Sequence, residues 1–287
     1  MKGIRLLLLF FPVAVAAELL HWGDLVIFAT SALAIIPIAG LLGEATEALA
    51  EKTGPQLGGL LNASLGNAAE LIITIVAITA GKMELVKASI IGSILGNLLF
   101  VLGLSLLLGG IKHGSQRFDR SRVSLDGNMV ILAAIAISIP SLFNELIEPN
   151  FQRVETLSLT TAAVVLVLYV LSIIYTLRQP VTNHVSHGAS IEPSHAGPHW
   201  SVSRALLIMV AAVAGLAVMS EYLVGSLEVV TETFGLSEFF VGIILVPIIG
   251  NVAEHLVAVQ VAMKNQMDLS LSIALGSSLQ IALFVAP

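Results

Sequence analysis

Two glutamates stand inside long apolar stretches, each as the last residue of the same short motif. Glu70 ends GNAAE at 66–70, and Glu254 ends GNVAE at 250–254. A charged carboxylate at the centre of a membrane span costs about 2.5–3.5 kcal/mol on insertion scales, so such a residue is a candidate for a functional site. A protonated, hydrogen-bonded structural Glu is the alternative. The matching pair favours function, because a structural role for one Glu does not explain the copy.

The residues around the two acids extend this chemistry. Asn67 and Asn251 lie about one helical turn before them. Two carboxylates, two amides and exposed backbone carbonyls form the all-oxygen set that Ca²⁺ takes, with about six to eight ligands. A zinc or copper site would favour imidazole or thiolate. Two carboxylates in one dry site repel each other, so either a divalent cation or protons would neutralise them. Such exclusive occupancy is what an antiporter requires.

Other polar residues interrupt the same apolar stretches. Ser93, Asn97, Ser277 and Gln280 could complete the site or hold the acids in place, and hydrogen bonds between helices explain them equally well. His255 follows Glu254 directly. It could relay protons, or it could be a packing residue turned about 100° away from the acid.

Three helix-modifying residues precede the acids. Gly66 and Gly250 each stand four residues before a Glu, where glycine permits either close helix packing or a break in the helix. Pro247 removes one backbone donor. Carbonyls freed at membrane depth are tolerated where they line a polar cavity.

The elements that must position these residues are membrane-spanning helices. Of 287 residues, 56% are hydrophobic and 11% charged, with a mean hydropathy of +0.96, whereas soluble domains carry about 25% charged residues. A span needs about 20 mostly apolar residues. Nine stretches qualify or nearly qualify: 4–20, 24–43, 55–80, 84–109, 124–143, 155–178, 203–220, 239–263 and 268–287. We therefore expect an all-α, polytopic transmembrane helix bundle.

The charges predict its orientation. With the N-terminus in the cytoplasm, only Lys82, Lys87 and Arg153 of the 13 basic residues fall outside, as the positive-inside rule requires. The chain is thus predicted to be a multi-pass membrane protein, in the plasma membrane of a prokaryote or a vacuolar-type membrane of a eukaryote. Lys2 and Arg5 before an apolar run are also typical of a cleaved signal peptide.

The motifs belong to a longer repeat. Residues 66–103 align without a gap with 250–287, at an offset of 184 residues and with 12 identities in 38 positions. The first copy follows an inside loop and the second an outside loop. This arrangement is an inverted-topology repeat, which in secondary transporters brings matching segments together near the membrane midplane.

The repeat also predicts the organisation of the chain. An extra transmembrane helix at 1–20 precedes a first repeat half of five helices at 24–178, and a truncated second half of three helices occupies 203–287. A complete repeat would need about 362 residues. The segment 179–202 between the halves is a cytosolic linker rich in Pro, Gly and Ser. Its four histidines could sense a metal, but their spacing is irregular, and a flexible linker explains the composition.

The two motifs closely resemble the paired signatures of the calcium/proton exchanger family, within the cation/calcium exchanger superfamily. The resemblance extends over 24–287 and includes GSILGNLLFVLG at 92–103 and GSSLQIALFVAP at 276–287. It implies that Glu70 and Glu254 carry calcium and protons, with Asn67, Asn251 and Gln280 beside them. It also implies eleven helices, a first one followed by two inverted sets of five, so this chain ends after nine. Sodium/calcium exchangers of the superfamily differ by a Ser/Thr-rich stretch and a Pro before the Glu.

From these observations we expect a transporter rather than an enzyme, which exchanges cytosolic Ca²⁺ for external or luminal H⁺ by alternating access at a midplane site. No cofactor is expected, membrane lipid is the expected surrounding, and a homo-oligomer is compatible with the sequence. No basic patch or phosphate-binding glycine loop indicates nucleic acid or nucleotide binding. Two alternatives stay open: another ion pair on the same fold, such as Mn²⁺/H⁺ or Na⁺/Ca²⁺, and a cation channel.

Overall fold

The computed structural model describes residues 2–146, 150–178 and 200–287, and all regular elements in these ranges are helices. The main ones are α1 (Phe10–Leu19), α2 (Asp24–Leu65), α3 (Ala68–Thr79), α4 (Met83–Leu95), α5 (Leu102–His113), α6 (Arg120–Leu146), α7 (Phe151–Arg178), α8 (Val202–Gly225), α9 (Leu227–Phe234), α10 (Val246–Ala262) and α11 (Met267–Gln280). A short helix at Lys2–Arg5 and a 3₁₀ turn at Leu6–Leu9 precede α1, and a short helix at Glu238–Phe240 follows α9. Most of the predicted linker, with its histidines, lies outside the described residues.

The predicted all-α membrane bundle is confirmed. Within the described ranges, seven helical stretches are long and apolar enough to cross a membrane, and two shorter apolar helices lie at Leu6–Leu19 and Ala68–Thr79. Together they correspond to the nine predicted stretches. Large apolar side chains such as Leu159 and Val167 are exposed along α7. A soluble protein rarely exposes so much contiguous apolar surface, so these faces suit a lipid environment.

The predicted connection at 44–54 is wrong, because this segment is helical. Residues 24–65 form one helical element, and the residues of 44–52 are mostly strong helix formers. The direction of the chain nevertheless reverses. A Cβ placed on Gly58 would lie 2.9 Å from the Cβ of Ala50, whereas eight residues of straight helix span about 12 Å. The two predicted spans therefore meet in a sharp helical bend between Ala50 and Gly58.

The chain divides into two compact units, each formed by segments from both ends of the sequence. The first unit takes the described residues of 1–96 and 192–257. In it α2 and α3 pack against α8, and α1 packs against α2. Its core is apolar, with Leu216 and Met219 of α8 fully buried beside Ile35 of α2. These contacts fix α3, the helix that carries Glu70.

The second unit takes the described residues of 97–191 and 258–287. In it α6 packs against α7 and α11, and α5 packs against α11. Tyr169 of α7 stacks on Phe284 with ring centroids 5.4 Å apart. Both aromatic rings belong to the helix surfaces that surround the end of α11.

Three stretches have π-helical geometry: Gly96–Val101, Val241–Leu245 and Ile281–Val285. The first and the third coincide under the repeat offset of 184 residues. A π turn inserts an extra residue into a helix and is frequent at functional sites. The repeat is thus also present in the local backbone geometry, next to Asn97 in one copy and Gln280 in the other.

Candidate cation site

The first unit contains both acidic motifs. Its members among the predicted site residues are Gly66, Asn67, Glu70, Ser93, Pro247, Gly250, Asn251, Glu254 and His255. Asn97, Ser277 and Gln280 belong to the second unit. The glutamates from the two ends of the chain are therefore in the same compact unit.

Glu70 lies in the first turn of α3, because the helix is interrupted at Gly66 and Asn67. These two residues form a turn, and Asn67 has φ −110° and ψ 30°, outside the helical region. The backbone N–H groups of a helix N-terminus favour a negative charge. The Glu70 side chain is only 7% exposed, and its Oε1 has no hydrogen-bond partner among the described residues. This oxygen is thus available to an ion.

Asn251 connects the second motif to two other groups. Its Nδ2 donates to the Ser93 hydroxyl at 3.4 Å, and its side chain also hydrogen-bonds the Glu70 carboxyl group. An amide nitrogen has two hydrogens, so these two bonds use both of its donors. The amide oxygen Oδ1 then remains as an acceptor, which is the atom that a hard cation would bind.

Gly250 gives the Glu70 carboxylate its space. A Cβ placed on Gly250 would lie 3.4 Å from Glu70 Oε1 and 3.6 Å from its Cδ. The unpartnered oxygen of Glu70 therefore faces the bare backbone of α10. The helix is continuous through Gly250, unlike at Gly66, so the two glycines occupy different local structures. Pro247 lies in the first turn of α10, where a missing N–H is tolerated.

Glu254 lies one turn after Gly250 on α10 and is partly buried. Its charge acts on Glu70, so the two carboxyl groups share one electrostatic environment. His255 is buried beside it in sequence. Among the described residues, no three His, Cys, Asp or Glu side chains gather as a metal cluster. The oxygen-rich prediction needs none, because it relies on two carboxylates together with amides and backbone carbonyls.

The remaining predicted polar residues form their own group in the second unit. Asn97 Nδ2 donates to the Ser277 hydroxyl at 3.1 Å, and both side chains are buried. Gln280 is buried at the end of α11, directly before the π-helical stretch Ile281–Val285. The hydrogen bond joins the two repeat copies, since Asn97 comes from the first and Ser277 from the second.

Two features of the first unit escaped the sequence reasoning. Lys82 Nζ lies 2.7 Å from Glu238 Oε1 and 3.9 Å from Glu228 Oε2. Arg5 binds both carboxylate oxygens of Glu44 at 3.0 and 2.8 Å. In each case the partners are far apart in sequence, so no local pattern could have identified them. The acidic character of both segments was the only available signal.

Comparison with known proteins identifies similar chains. A family model described as "Sodium/calcium exchanger protein" matches residues 23–178 and 204–287. A Ca²⁺/H⁺ antiporter of Aphanothece halophytica is 42% identical, over 98% of this chain and 79% of the relative. A Ca²⁺/H⁺ antiporter of Synechocystis sp. is 41% identical, over 100% of this chain and 81% of the relative.

A solved structure gives the same result for the fold. The crystal structure of the selenium-substituted Ca²⁺/H⁺ antiporter protein YfkE superposes with a TM-score of 0.83 at 37% identity. The alignment covers 100% of this chain and 81% of that chain. These relatives are named as antiporters, which are transporters and not enzymes.

Proposed function

The chain belongs to the sodium/calcium exchanger protein family, as the resemblance in its two motifs predicted, and on this premise we propose that it exchanges Ca²⁺ for H⁺ across a membrane. It is an integral, multi-pass membrane protein. In the proposal Glu70 and Glu254 form the transport site near the membrane midplane. Calcium leaves the cytoplasm, where the N-terminus lies, and protons return in the opposite direction.

The carrying observation is the buried, unpartnered oxygen of Glu70. Burying a polar atom without a hydrogen bond is unfavourable, and more so for a charged one. A native site that keeps such an atom therefore needs something else to neutralise it. A cation or a proton would do so, and the nearby charge of Glu254 makes an additional positive charge more favourable.

The surrounding groups support a hard divalent cation. Glu70 Oε1, the Asn251 amide oxygen and the Glu254 carboxyl group are all oxygen ligands, and no imidazole or thiolate cluster accompanies them in the described residues. Calcium prefers such ligands. The same two carboxylates hold protons when the cation is absent. Since one occupant excludes the other, each conformational change carries either calcium or protons.

Alternating access follows in this proposal from the inverted repeat. Motifs written in opposite directions across a membrane are typical of transporters whose halves rock around a central site. The named Ca²⁺/H⁺ antiporters supply the ion pair, and this assignment to the present chain rests on their similarity. The family description also names sodium, so Na⁺/Ca²⁺ exchange is the second candidate.

The test measures radiolabelled calcium uptake into proteoliposomes with an imposed pH gradient. We expect uptake that depends on the gradient and that is lost in Glu70→Gln and Glu254→Gln. A sodium gradient without a pH difference tests the second candidate, and manganese competition tests selectivity. Uptake that follows only the membrane potential would indicate a channel. Gradient-driven uptake that survives both substitutions would refute the two-glutamate site.

A further inference from the structure

One helix contact in the first unit is made by backbone on both sides. A Cβ placed on Gly92 of α4 would overlap the carbonyl of Ile243, at 2.7 Å from both its carbonyl carbon and its Cα. Ile243 lies in the π-helical stretch Val241–Leu245 that leads into α10. Side chains can adapt to a neighbour, but two backbones in contact leave no flexible atom between them. The contact therefore fixes the position of one helix relative to the other.

Pro247 explains why this particular carbonyl is available. In an α-helix the carbonyl of residue 243 would accept from the N–H of residue 247, and proline has no N–H. The π-helical geometry at 241–245 accompanies this defect. A carbonyl in contact with the Cα of glycine can accept a weak C–H···O bond, which recurs between closely packed helices. Gly92 thus lies against the one backbone oxygen in this turn that loses its α-helical donor to Pro247.

Two further contacts hold the same pair of elements. A Cβ on Gly242 would lie 2.6 Å from the Ala88 Cβ and 2.9 Å from the Leu85 carbonyl oxygen. At the start of α4, Lys82 is paired with Glu238, which stands three residues before Val241. The two elements are therefore in contact from residue 82 to residue 92. Ser93, the acceptor of the Asn251 hydrogen bond, comes next on α4.

We propose that Gly92 is a positioning residue for the transport site, because its backbone contact with Ile243 sets α10 at the height where Asn251 meets Ser93 and Glu70. This inference rests on the proposed function, since it assigns a role within that site. It explains why glycine directly precedes Ser93. The glycine brings the two backbones together, and the serine hydroxyl then lies within reach of Asn251. Gly92 itself contacts no ion in this proposal.

The first experiment compares Gly92→Ala with Gly103→Ala. Gly103 lies in the same apolar stretch, and a Cβ there would meet no atom within 4 Å. We expect Gly92→Ala to raise the KM for calcium roughly tenfold or more, since overpacking displaces backbone, with a smaller change in the maximal rate per folded protein. Gly103→Ala should behave like the native chain. Unchanged kinetics in Gly92→Ala would overturn the proposal.

A second pair of variants covers a Gly92→Ala chain that fails to fold. Gly242→Ala brings a methyl group against Ala88, so Ala88→Gly should restore part of the lost calcium affinity. No rescue by Ala88→Gly, with the double variant folded, would contradict the fixed contact. The native chain provides the separate control. If its uptake ignores the pH gradient, the proposed function fails, and calcium binding by the purified variants still tests the positioning role.

Discussion

Replacing Gly250 with alanine tests whether the open side of Glu70 is where the cation binds. The added methyl carbon would lie 3.4 Å from Glu70 Oε1 and 3.8 Å from its Cγ, which is ordinary van der Waals contact. The substitution therefore requires no rearrangement of the helices. Alanine also has a higher helix propensity than glycine, by about 0.8–1.0 kcal/mol. Thermal stability in detergent should be unchanged or slightly higher.

Calcium binding should nevertheless weaken. A calcium ion on Oε1 lies about 2.3–2.6 Å from it, and on the α10 side it would compete with the methyl group for the same space. Disturbing groups just outside the ligands of a metal site typically lowers affinity about 10- to 100-fold. That range corresponds to about 1.4–2.7 kcal/mol. We expect a rise of this size in the KM for calcium, with the maximal rate less affected.

The assay is calcium uptake driven by a pH gradient, measured over a range of calcium concentrations. Gly43→Ala is the matched control, because Gly43 also lies inside a helix and a Cβ there would meet no atom within 4 Å. An unchanged KM in a stable Gly250→Ala protein would show that the cation does not occupy this side of Glu70. A destabilised protein would show that the packing argument is wrong.

Three other outcomes follow from the described contacts. Ser93→Ala removes the acceptor of the Asn251 Nδ2, so we expect calcium affinity to fall severalfold while Ser93→Thr retains most of it, as read by the same uptake assay. Arg5→Gln leaves the buried Glu44 carboxylate without its bidentate partner and should cost about 1–3 kcal/mol of stability in detergent; a melting temperature equal to that of the native chain would refute this. The hydrogen bond to Glu238 raises the pKa of Lys82 above 10.5, so the pair contributes at any pH below that value and is lost only as pH rises further; the small destabilisation of Lys82→Met should therefore be equal at about pH 7 and pH 9.

Part of the site could be read from the sequence because it depends on local spacing. The four-residue separation of glycine and Glu, the offset of 184 residues and the apolar lengths all follow from residue order alone. These patterns identified Glu70 and Glu254 as a pair and predicted the helices around them. The bend between Ala50 and Gly58 was missed, because strong helix formers fill both the ends of a span and a tight helical turn.

The sequence by itself determined the class of protein, the motifs and the inverted repeat, since hydropathy and periodicity are properties of single segments. Only the tertiary structure decided which oxygen of Glu70 lacks a partner, that Asn251 uses its donors on Ser93 and Glu70, and that Gly92 meets the Ile243 carbonyl. Each of these contacts joins residues more than 140 positions apart or depends on an absent partner. Such facts arise from how helices pack, and helix packing is set by surfaces that no single segment contains.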